Sequence, residues 1–186
     1  EESNDILDKA EQKLFNLSQS AHKGRFQSVD GLLQSVLEKW ENRKAGDMLG
    51  IGTGFHDLDS KLSGLQKSDL IIVAGRPSMG KTAFALNVAR NIGVSEKKKV
   101  GIFSLEMSKE QIGLRLLCAE ARVDSSKVRT GYMARTEWPK LTSAAGRLSE
   151  ASIFVDDSPS LSTLDVRARA RRLFAEKKLG LIIGEQ

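Results

Sequence analysis

Over the first fifty residues apolar side chains recur at helical spacing. Ile6/Leu7, Ala10, Leu14 and Leu17 share a stripe with Lys9, Glu11 and Lys13 among the polar positions, which predicts a short amphipathic helix. The stretch Ala21-His22-Lys23-Gly24-Arg25 breaks the pattern, and Val29, Leu32/Leu33, Val36/Leu37 and Trp40 then predict a second one. A short helix with an apolar stripe needs a cover, supplied either by its own core or by another subunit. Four glycines, Gly46, Gly50, Gly52 and Gly54, then mark a loop.

From residue 70 the pattern changes to short apolar runs alternating with helical segments. Leu70-Ile71-Ile72-Val73-Ala74 has the length and β-branching of a buried strand, followed by a helix from Lys81 to about Asn91. Val100 to Ser104 predicts the next strand, and Ser108-Lys109-Glu110-Gln111 a capping box that opens a helix to about Ala121. A helix near Glu137–Leu148, a strand at Ile153–Val155, a turn at Asp156-Asp157-Ser158-Pro159 and a second capping box at Ser162-Thr163-Leu164-Asp165 follow. The helix from that box runs to about Lys178, and the apolar run Leu179 to Ile183 is the last strand. Strands alternating with helices predict an α/β fold with a mostly parallel sheet covered on both faces.

Composition changes this picture little. Forty per cent hydrophobic and 28% charged residues in 186 are ordinary for a globular domain able to bury its own core. The lone Cys118 permits no internal disulfide, reads as a core residue on a helix face, and with His22 and His56 gives too few soft ligands for zinc. No apolar run reaches bilayer length and Glu1-Glu2-Ser3-Asn4-Asp5 lacks the chemistry of a secretory leader, so a cytoplasmic chain without a membrane partner is expected. The net charge of +5 is uneven: residues 51–186 carry 22 Lys/Arg against 15 Asp/Glu. That excess suits a polyanionic partner and a solvated surface equally.

Chemistry concentrates in Gly75-Arg76-Pro77-Ser78-Met79-Gly80-Lys81-Thr82, which matches G-x-x-x-x-G-K-[ST] between a predicted strand and a predicted helix. In such a loop backbone amides and the helix N-terminus cradle phosphates, Lys81 reaches the β/γ-phosphates, and the Thr82 hydroxyl is placed on Mg²⁺. ATP with Mg²⁺ is the expected cargo. Hydrolysis further needs a group that orients water, and Glu106, just past the second predicted strand, is in position for it. The same position also suits a carboxylate favoured by the start of the helix at Ser108.

Gly75 to Asn87, Phe103-Ser-Leu-Glu-Met-Ser108 and Ile153 to Leu161, in this order, with Thr53-Gly54-Phe55 and Leu58-Asp59 leading in, resemble bacterial replicative DNA helicases of the DnaB type. The resemblance runs from about Gly50 to Ile183. It implies a RecA-like P-loop NTPase core that forms a hexameric ring, threads single-stranded DNA at the replication fork and unwinds duplex 5′ to 3′ with ATP hydrolysis. It places Lys81 and Thr82 on the Walker A positions and Glu106 on the catalytic glutamate. Residues 1–20 then correspond to a linker helix that docks on the neighbouring subunit, 21–49 to a connecting helix and loop, and 50–186 to part of the motor core. Primase and a helicase loader are the implied partners, in the cytoplasm at the nucleoid. In the family an aspartate that helps hold Mg²⁺ follows a strand like Leu181-Ile182-Ile183. Glu185 falls at its position, as a longer carboxylate and a poor substitute. The family's later strands, DNA-contacting loops and trans-acting arginine find no match, so the chain is expected to carry an incomplete motor with little turnover alone. Two alternatives remain, another RecA-like ATPase of the recombination or clock type and a nucleotide-binding fragment without turnover.

Overall fold

The computed structural model describes residues 28–42 and 48–185. The first predicted helix, Asn4 to about Ser20, lies outside the described residues. The second is observed as α1, Val29–Glu41, with its apolar residues Val29, Leu33, Leu37 and Trp40 exposed.

Residues Met48–Gln186 make one compact unit. It opens with a closed loop. Ile51 and Leu65 exchange backbone hydrogen bonds of 2.8 Å in each direction, and between them lies the short helix α2, His56–Leu62. Gly50 is required there, because a Cβ would sit 2.3 Å from the carbonyl oxygen of Leu65. The helix α3, Lys81–Arg90, continues into a single wide turn at Asn91–Ser95 and leads to β1, Val100–Ser104. Then come α4 (Lys109–Ala121), α5 (Ser125–Thr130), α6 (Trp138–Glu150), β2 (Ile153–Asp156), α7 (Thr163–Lys177) and β3 (Leu181–Glu185).

The two capping boxes read from the sequence form as read. Ser108 accepts from the Gln111 amide while the Gln111 side chain accepts from the Ser108 amide, and Ser162 and Asp165 do the same for α7. Each box satisfies amides that a helix start leaves without partners.

All three strands are parallel, in the order β2-β1-β3, with Val100 opposite both Ile153 and Leu181. β1 is buried along its whole length, as a central parallel strand must be. Its Val100 and Ile102 pack with Leu86, Ala89 and Ile92 of α3 and its wide turn, and with Ile112 and Leu116 of α4. A second, smaller cluster joins Ala121 and Val123 to Leu141 and Ala144 of α6. On the opposite face Gly101 lies where a Cβ would touch Leu173 of α7 and Leu179. That cover does not extend over β3, where Ile182 is exposed, so the expectation of a sheet covered on both faces holds at β1 and fails at β3.

A larger departure concerns Leu70–Ala74. The sequence predicts a buried strand; the structure has a run without regular secondary structure outside the sheet, with Leu70, Ile71, Ile72 and Val73 exposed by 87, 47, 80 and 49%. A strand is defined by hydrogen-bonded neighbours that take up its amides and carbonyls, and composition supplies no neighbour. The far side of β3 carries no strand among the described residues.

Candidate nucleotide site

β2 and β3 leave β1 in opposite directions, and in open parallel sheets a ligand crevice forms outside the carboxyl ends of the strands at such a reversal. The loop Gly75–Gly80 and the start of α3 lie at this end. The Met79 amide donates to the Arg76 carbonyl at 3.2 Å, closing a turn with Pro77 second and Ser78, at φ 64°, third. This is the pattern of a type II turn, in which the third position favours glycine. Gly80 follows at φ 86° as the N-cap residue of α3. Unlike α4 and α7, α3 has no side-chain cap and no acid in its first turn, so its leading amides are left for an external anion. Lys81 is exposed and makes no ion pair among the described residues.

Three side chains meet beside this helix start. The Thr82 hydroxyl donates to one oxygen of the Glu185 carboxylate at 2.6 Å, and the Ser104 hydroxyl donates to the other at 2.7 Å. Glu185 thus bridges α3, the end of β1 and the end of β3, reaching back 103 residues to Thr82. The Glu106 side chain is exposed, two residues past the end of β1. The set suits Mg²⁺, which takes hard oxygen donors, few of them from protein. Among the described residues no group of three His, Cys, Asp or Glu could hold a metal.

The pattern of residues 50–184 matches the family described as DnaB-like helicase C terminal domain. The chain belongs to this family. A replicative DNA helicase DnaB of Geobacillus stearothermophilus is 46% identical over 180 residues, covering 96% of this chain and 40% of that protein. The corresponding helicase of Nostoc is 48% identical over 181 residues, covering 96% of this chain and 21% of that protein. Among solved structures, one described as an ATPase domain superposes with a TM-score of 0.78 at 30% identity, covering 86% of this chain and 56% of that one. A DnaB-like replicative helicase described with its interactions with primase gives 0.74 at 28% identity, covering 95% and 42%. The chain therefore spans two fifths of the length of the first of these curated relatives and about one fifth of the second. The RecA-like α/β fold expected from the sequence is the fold of these neighbours.

Within this DnaB-like domain the lead-in motif has a physical role that its sequence did not reveal. Asp59 is nearly buried and accepts from the Thr53 amide at 2.8 Å, the Thr53 hydroxyl at 2.7 Å and the Gly54 amide at 3.0 Å. Burial pushes its carboxyl up, but these donors, with His56 nearby, outweigh it and hold the carboxyl below the ordinary value. The Thr53 carbonyl accepts from Asn91 at 2.9 Å, and Phe55 lies against Phe84 at 5.2 Å between ring centres. The loop thus grips the P-loop helix near its start and just past its end.

The remaining sequence candidates resolve simply. Asp156 accepts from the amide and hydroxyl of Ser158 and pairs with Arg169 at 2.7 Å, while Asp157 accepts from the Lys109 amide at 3.0 Å, so both close turns and helix starts. Burial raises the Asp156 carboxyl, but Arg169 and Ser158 outweigh it and hold it low. Cys118 is buried, and burial, then Asp124, pushes its thiol up, away from the reactive thiolate. A cleft of about 600 Å³ is lined by residues that include Arg90, Glu120, Arg122, Lys140 and Arg147, and by no P-loop residue. Residues Gly75 to Gly80 of the P-loop are exposed.

What the sequence missed was Glu185 as a hydrogen-bond partner of Thr82. The position pointed to it; its longer side chain argued against it. One carboxylate accepts from two hydroxyls, those of Thr82 and Ser104.

Proposed function

We propose that this chain carries the ATP-binding part of a hexameric replicative DNA helicase, which unwinds duplex DNA 5′ to 3′ at the fork with ATP hydrolysis. The observation that carries the reading is the Thr82–Glu185–Ser104 cluster beside an uncapped P-loop helix, in a DnaB-like domain. Gly75, Arg76, Pro77, Ser78, Met79 and Gly80 form the phosphate cradle, with Lys81 on the β/γ-phosphates. Thr82 and Glu185 are the residues to hold Mg²⁺, which when bound neutralises phosphate charge. Glu106 orients the attacking water.

Residues 1–20 act as the linker helix, 21–49 as the connection and 50–186 as part of the motor core. The whole protein binds single-stranded DNA and contacts primase, as the neighbour described with primase does, and a loader. It works in the cytoplasm at the nucleoid, in keeping with the finding that among the described residues no helix is long and apolar enough to cross a membrane.

Lys81→Ala in the full-length protein tests the site. The expected result is loss of ATP turnover by at least about a hundredfold, the scale of a removed transition-state cation, with far-UV circular dichroism unchanged. Wild-type turnover by that variant refutes the reading.

A further inference from the structure

Glu106 occupies a turn whose flanking amides are both tied down. The Leu105 amide donates to the Glu185 main-chain oxygen at 3.2 Å, and the Met107 amide donates to the Ser104 hydroxyl oxygen at 3.1 Å. Ser104 is 1% exposed and has no water to turn to. Its single proton goes to the Glu185 carboxylate at 2.7 Å, which leaves a lone pair as the acceptor for Met107. The acceptor is charged, so this hydroxyl is held in one orientation more firmly than a neutral partner would hold it. The other Glu185 oxygen accepts from Thr82 at 2.6 Å. A continuous run of hydrogen bonds therefore leads from the P-loop helix, through Glu185 and Ser104, to the backbone next to Glu106.

We propose that Ser104 is a positioning residue: its buried hydroxyl, held by Glu185, fixes the Met107 amide and through it the placement of the Glu106 carboxylate. The inference rests on the reading of Glu106 as the group that orients water. Ser104 touches no reacting atom. It makes the water-orienting loop sensitive to whatever occupies Thr82 and Glu185, because a change at the Thr82 hydroxyl passes to the loop through two oxygens of one carboxylate.

The test uses the full-length protein with Ser104→Ala and the near-isosteric Ser104→Cys, which keeps the volume if alanine does not fold. Three quantities are read: kcat, the dissociation constant of a fluorescent ATP analogue, and hydrogen exchange of the 104–108 segment without nucleotide. Loss of a hydrogen bond to a charged group predicts a fall in kcat of about tenfold for alanine, less for cysteine, with nucleotide affinity within about twofold of wild type. Exchange at Leu105 to Met107 rises by about fivefold or more, at the scale of one lost neutral hydrogen bond. In a Glu106→Gln background Ser104→Ala costs nothing further in residual turnover, since the group it positions is gone. Equal losses in both backgrounds, or unchanged exchange, overturn the proposal. A Lys81→Ala control separates the two readings. If Lys81→Ala abolishes turnover while Ser104→Ala turns over like wild type, only the role of Ser104 falls. If Lys81→Ala turns over normally, the nucleotide site itself falls.

Discussion

Replacing Asp59 removes the acceptor of three short hydrogen bonds, two from main-chain amides and one from the Thr53 hydroxyl. In Asp59→Ala the Thr53 side chain, 1% exposed, cannot turn to water. At about 1 kcal/mol for each bond, and somewhat more because the acceptor is charged, the loss comes to about 3–4 kcal/mol. For a domain of this size that lowers the melting temperature by about 10 °C. Asp59→Asn keeps one carbonyl oxygen but turns an NH₂ toward a donor, so a loss of about half that is expected. Urea denaturation followed by circular dichroism measures both, with the slope of the transition unchanged if only stability has moved. The sign of the pH dependence follows from the lowered carboxyl. Its ordinary value is 3.8, so the stabilisation is complete above that value and disappears as pH falls through the lower folded value. The gap between wild type and Asp59→Asn is therefore widest near neutrality and narrows in acid. A loss below about 1 kcal/mol for Asp59→Ala, or a gap that widens in acid, refutes the clamp as a source of stability.

Two further substitutions test other joints. Gly50→Ala places a methyl 2.3 Å from the Leu65 carbonyl oxygen and forces apart the Ile51–Leu65 bridge, for an expected loss of about 3 kcal/mol in the same denaturation experiment. Ser162→Ala removes one half of the capping box on α7 and is expected to cost about 1 kcal/mol in the same denaturation experiment.

What could be read from the sequence was what local chemistry dictates. Ser108 with Gln111 and Ser162 with Asp165 announce helix starts because the bonds that form them lie within four residues. The strands β1, β2 and β3 were visible as compact apolar runs, and the P-loop as a spacing of glycine, lysine and threonine. Leu70–Ala74 has the same local signature and no sheet partner among the described residues, so local chemistry misleads there. The short helices α2 and α5 carry too few residues to show a period. The most informative contacts were hidden for a different reason. Glu185 with Thr82 and Asn91 with Thr53 join residues far apart in the chain, and no spacing rule reaches across 103 residues. Asp59 stood in a recognisable motif, yet only its burial beside two amides and a hydroxyl showed what the motif is for.

The distance between Thr82 and Glu185 along the chain also sets a timetable for biosynthesis. At about 5–20 residues per second, a ribosome takes on the order of 5–20 s to add the 103 residues that separate them. Through that interval the P-loop segment has been made, while the carboxylate that receives the Thr82 hydroxyl, and the strand β3 that carries it, have not. The nascent chain passes through a stage in which the P-loop segment exists without the carboxylate that meets it.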